Sequence, residues 1–91
     1  MTLEDTQATS SIAGLAAILE RFPGHNVILH QFFQESSSFQ SLCADYWDCL
    51  VAWQNWRQAS SREAPAVSQS YAELLQELEE DVRKYLEFAE T

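Results

Sequence analysis

Ninety-one residues with 46% hydrophobic and 12% aromatic content describe a folding chain rather than a disordered one, and two glycines with two prolines are too few for the turns of an all-β domain. Fourteen acidic residues against five dispersed basic ones (Arg21, Arg57, Arg62, Arg83 and Lys84) give a formal charge of -9 and provide no basic patch for nucleic acid or an anionic bilayer. The acidic, polar start lacks the pattern of a secretory signal and no run reaches the roughly 18 apolar residues of a membrane span, so the expected location is the cytoplasm.

Residues 1–10 carry Glu4, Asp5 and a Thr/Ser cluster with little apolar content, and read as a flexible N-terminal tail ahead of a single helical domain over 11–91. Ile12, Leu15, Ile18, Leu19 and Phe22 fall at helical spacing behind a Ser10 or Ser11 cap, and Pro23-Gly24 ends the run. Gly14 inside this first helix costs about 1 kcal/mol relative to alanine, so it marks either a close approach or a tolerated weakness. Asn26 is the expected N-cap of a short second helix to Glu35, apolar nearly all round, with an extended stretch as the alternative for its β-branched start. Ser37 with Gln40 fits a capping box for the third helix.

The third helix, Phe39 to Gln58, is the centre of the pattern. Phe39, Leu42, Tyr46, Cys49, Trp53 and Trp56 alternate at steps of three and four, and Cys43, Trp47, Leu50 and Val51 widen the apolar arc so that it needs cover from more than one side. A polar connection of six to ten residues follows, with Pro65 suited to the first turn of the last helix. There Tyr71, Leu75, Leu78, Val82, Tyr85 and Ala89 form a seam thickened by Leu74 and Leu86, while Glu79/Arg83 and Glu80/Lys84 have the favourable ion-pair order at four-residue spacing. The expected fold is all-α: two shorter N-terminal helices packed on a long antiparallel, coiled-coil-like hairpin, its helices each about 30 Å long.

No constellation carries catalysis. Cys43 and Cys49 lie on different sides of one helix and cannot form a disulfide with each other, which leaves them as small buried hydrophobes. A zinc site assembled from Cys43, Cys49, His25 and His30 is geometrically open, yet no metal-ligand spacing occurs. His25 reads as a solvated turn residue, His30 as a structural histidine beside apolar neighbours, and Asp45 with Asp48 as a solvated face. No catalytic residue, cofactor or metal is expected, and the expected class is non-enzymatic.

The segment Phe39-Gln40-Ser41-Leu42-Cys43-Ala44-Asp45-Tyr46-Trp47-Asp48-Cys49, followed by Tyr71-Ala72-Glu73-Leu74-Leu75-Gln76-Glu77-Leu78-Glu79, resembles a group of short uncharacterised bacterial proteins with a Leu-Cys-x-Asp-Tyr-x-x-Cys stretch ahead of a Tyr/Leu/Glu-rich final helix. The resemblance implies a bacterial cytosolic helical protein and transfers no activity to any residue. The residues themselves point to a protein-interaction module, a regulator or accessory subunit, with Trp47, Val51 and Trp56 as the partner-binding surface and a protein partner or a homodimer as its occupant. Two other classes stay open: an acidic inhibitor that imitates nucleic acid through the last helix, and a metal or ligand carrier using the Cys and His residues.

Overall fold

Four α-helices and no strand make up the described part of the chain: α1 (Leu3–Arg21), α2 (Asn26–Glu35), α3 (Ser37–Gln58) and α4 (Ala64–Glu90). The structure, a computed structural model, describes the backbone of residues 3–90 and the side chains of residues 9–89. The fold is all-α, as the periodicity predicts. Its residues group into two compact units, Met1–Trp47 and Asp48–Thr91, where the sequence suggests one domain. The division falls inside α3, which at 22 residues is about 33 Å long and makes its contacts in each unit with a different half.

In the first unit α1 packs on the N-terminal half of α3. The Ser11 hydroxyl donates to the Gln40 carbonyl at 3.1 Å, and one turn further along Gly14 lies against the Cys43 carbonyl. Both contacts advance by three residues on each helix, so α1 and α3 run in the same direction where they touch, and α2 makes the return. A Cβ built on Gly14 would fall inside the van der Waals envelope of the Cys43 carbonyl carbon and oxygen. Gly14 is therefore a close backbone approach rather than a tolerated weakness.

Helix α1 starts earlier than the serine caps suggest. Ser11 is buried inside the helix and holds α3 instead of capping α1. Leu3 to Ser10, expected as tail, continue the helix at its N-terminal side; Met1 and Thr2 lie outside the described residues. The reason is that Thr6, Gln7, Ala8 and Thr9 lack an apolar stripe but include no glycine or proline, and extending a nucleated helix costs little per residue. The buried face centres on Ser11, Leu15 and Ile18, while Ile12 is 61% exposed.

Helix α2 is regular over its 10 residues, which removes the extended alternative. Asn26 is its first helical residue; His25 takes the cap position and makes no side-chain cap bond. Of the apolar residues only Leu29 is fully buried. Gly24, at φ +92°, supplies the left-handed turn after Pro23 that separates α1 from α2.

One residue joins α2 to α3. Ser36 is extended (φ -125°, ψ 113°), its N–H donates to the Phe32 carbonyl at 2.9 Å to close α2, and its Oγ accepts from the Phe39 N–H at 3.1 Å to open α3. The capping serine is thus Ser36, not Ser37, because the N-cap side chain must reach the third helical residue, which is Phe39. Gln40, the expected partner in a capping box, instead donates from Nε2 to the Phe33 carbonyl at 2.6 Å. The Phe32 and Phe39 rings meet across the joint at 5.6 Å, tilted by 58°.

In the second unit the C-terminal half of α3 and α4 form an antiparallel hairpin joined by residues 59–63, a connection shorter than the six to ten residues expected. Cys49 Sγ donates weakly to the Tyr71 carbonyl at 3.5 Å. Pro65 sits in the first turn of α4, where its missing N–H costs nothing. At 27 residues α4 is about 40 Å long. Its buried line runs through Ala64, Leu75, Glu79, Val82 and Leu86, whereas Tyr71, Leu78 and Tyr85 are half-buried and Leu74 and Ala89 exposed. At about 100° per residue the helix is rolled by roughly 40° from the orientation its apolar seam predicts. Tyrosines explain the roll, since a ring that carries a hydroxyl is best placed at a boundary with its tip in water. Glu80 pairs with Arg83 at 3.5 Å and Lys84 with Asp81 at 3.8 Å, both at three-residue spacing, so the expected Glu80/Lys84 pair does not form.

Two outcomes test this account. Gly14→Ala should lower stability by about 1–3 kcal/mol through overpacking, against an intrinsic helix gain of about 1 kcal/mol for alanine; a urea midpoint that holds or rises contradicts the close approach. Ser36→Ala should cost about 1 kcal/mol as a lost cap while Ser37→Ala stays within about 0.5 kcal/mol. Equal costs at the two serines would remove Ser36 from that role.

Candidate functional site

All three residues expected to bind a partner lie on α3, and all three are half-buried. Helical register puts Trp47 and Val51 one turn apart on one face, and Trp56, nine residues beyond Trp47, on the opposite side. They therefore do not form one continuous surface on their own helix. Trp47 closes the first unit, and Val51 and Trp56 belong to the second.

Trp56 borders an open depression of about 320 Å³ at the tip of the α3–α4 hairpin, together with Arg57, Ser61, Pro65 and Ser68. The Arg57 guanidinium lies 4.6 Å from the centre of the Trp53 ring, a cation–π contact one helical turn long that also sets a positive charge at the C-terminal end of α3. Of the hydroxyls here, that of Ser68 is occupied within α4, donating to the Pro65 carbonyl at 3.1 Å. No buried side-chain nitrogen or oxygen among the described residues lacks a partner. The depression offers one aromatic edge and one cation, with no nucleophile paired to a base.

Both thiols are free and buried. Burial pushes Cys43 from 9.0 up to about 12, and also raises Cys49, so neither supplies a thiolate near neutrality. His30, expected beside apolar neighbours, is exposed on α2, and His25 is half-buried in the turn before it. Among the described residues no three His, Cys, Asp or Glu side chains are placed to hold a metal ion. Asp45 and Asp48 are exposed, as their sequence context predicts.

The largest exposed apolar side chains lie elsewhere: Val27 on α2 (85%), Phe88 (82%) and Leu74 (42%) on α4, and Ile12 on α1. The sequence signal for the α4 pair was available, because Phe88 lies fourteen residues from Leu74 on the same three-four spacing that marks the buried seam. Among the described residues no helix is long and apolar enough to cross a membrane. Set against protein families, curated proteins and solved structures, the chain finds no match.

The thiols carry a pH prediction. The native Cys43 stays protonated while an unfolded thiol ionises near 9.0, so its contribution is constant below about pH 8 and stability falls as pH rises from 9.0 toward about 12. The loss of urea midpoint between pH 8 and pH 10.5 should shrink in Cys43→Ala, which controls for other titrating groups. A thiol dye should label neither cysteine in native protein at pH 8 and both after denaturation; rapid native labelling of Cys43 would show that it is not sealed.

Proposed function

We propose that this chain is a small non-enzymatic interaction protein of the cytoplasm, a regulator or accessory subunit that binds another protein through a helical surface. The observation that carries the reading is the flank of α4 on which exposed Leu74 and Phe88 are continued by half-buried Leu78 and Tyr85. Residues three and four apart on a helix are neighbours, so these side chains form a connected apolar strip rather than isolated surface residues. Trp56 at the hairpin tip supplies a second contact, with an apolar body and a cation beside it. A net charge of -9 favours a basic protein surface over nucleic acid or an anionic membrane. Two free thiols fit a reducing compartment.

The test is affinity isolation of the tagged chain from its own cells, beside light scattering of the purified protein over a concentration series at low and high salt. The expected result is a monomer that isolates with one protein in stoichiometric amount, and a loss of at least tenfold in that protein for Phe88→Asp or Trp56→Ala with helicity retained. A stoichiometric metal or small molecule with no protein partner would overturn the reading in favour of a carrier.

A further inference from the structure

The α4 strip has a particular spacing and charge. Tyr71, Leu74, Leu78, Asp81, Tyr85 and Phe88 follow one another at steps of three, four, three, four and three, the repeat of a helix that receives another helix along its length. From Leu74 to Phe88 the strip is roughly 21 Å long at 1.5 Å per residue. Asp81 stands in its middle, three residues from Leu78 and four from Tyr85, and exposed Glu77 borders it one turn earlier. The nearby cation, Lys84, is itself directed to Asp81 at 3.8 Å.

This arrangement selects its occupant. In a symmetric pair of strips centred on each other, parallel or antiparallel, Asp81 meets the Asp81 of its mate inside an apolar contact, which opposes a second copy of this chain. A helix with Lys or Arg opposite Asp81 and Glu77 meets opposite charges there, and its apolar face covers Leu74 and Phe88. Building on the reading of the chain as an interaction protein, we infer that the α4 strip docks an amphipathic helix of a partner protein whose polar border is basic. The mode is a helix laid along a helical surface, with apolar anchors for affinity and charge for choice of partner.

The full chain is titrated, by calorimetry near physiological salt, with three synthetic helical peptides: an amphipathic Leu/Lys helix, a Leu/Glu helix with the same apolar face, and a Ser/Lys peptide with no apolar face. The expected result is one-to-one binding of the Leu/Lys helix, at least tenfold tighter than either other peptide, and weakened at least tenfold by Leu74→Asp and by Phe88→Asp. Both substitutions add negative charge, so a purely electrostatic contact would strengthen instead. Leu74→Ala and Phe88→Ala serve where an aspartate variant loses helicity. Equal binding of the Ser/Lys peptide, variants that bind as wild type, or a dimer abolished by Phe88→Asp each overturns the inference. If it fails while a cellular partner is still lost through Trp56→Ala, the interaction reading stands and only this surface is wrong.

Discussion

The backbone contact between Gly14 and Cys43 is the constraint on which the first unit depends. With no Cβ on one side and a carbonyl on the other, α1 and α3 approach more closely than any pair of side chains would permit. That closeness lets so short a group as the Ser11 hydroxyl reach the Gln40 carbonyl. Gln40 then carries the connection onward, because its amide reaches the Phe33 carbonyl near the end of α2. Ser36 must turn the chain between α2 and α3 in one residue, and it can do so because its N–H and its hydroxyl serve the two helix ends at once. A glycine that weakens its own helix therefore organises three of them.

The same approach explains the chemistry of Cys43. A thiol sealed in a low-dielectric contact is held protonated, since its ionised form would lose solvation with no cation to replace it. The site favours a small, weakly polar side chain that fills space. In the second unit Cys49 has a mild version of this role, its sulfur directed at the Tyr71 carbonyl across the hairpin. The cysteines that draw the eye in the sequence as possible ligands are parts of the packing.

How much of this was legible depends on how locally each feature is encoded. The buried run of α3, Phe39, Leu42, Tyr46 and Cys49, was readable because burial there follows apolar character residue by residue. The start of α1 was not, because a polar stretch without breakers gives no sign of whether a neighbouring helix will extend through it. The capping serine lies one position ahead of the expected one in a run of three identical residues, which do not by themselves encode which of them caps. In α4 the seam was correct in period and wrong in phase. Glu79 lies in the buried line while Leu74 is exposed, an inversion of the hydrophobic ranking that comes from tertiary contacts and the preference of Tyr71 and Tyr85 for a boundary. The same difference in phase conceals the candidate surface in the sequence, since a helix expected to bury Leu74 has no exposed apolar strip, whereas Trp47, Val51 and Trp56 stand out by residue type alone.

An exposed phenylalanine and leucine on one helical flank would invite self-association in a neutral protein. Here Glu73, Glu77, Glu80, Asp81 and Glu87 are all exposed on the same helix against Arg83 and Lys84, and the whole chain carries -9. Close approach of two like surfaces must then bring their carboxylates together, and the repulsion acts at about 8 Å in physiological salt, before short-range apolar contact can be made. The acidity is thus more than a means of staying in solution. In the proposed docking it would separate the energy of binding, held in the apolar strip, from the choice of what binds, and would favour a surface of opposite sign.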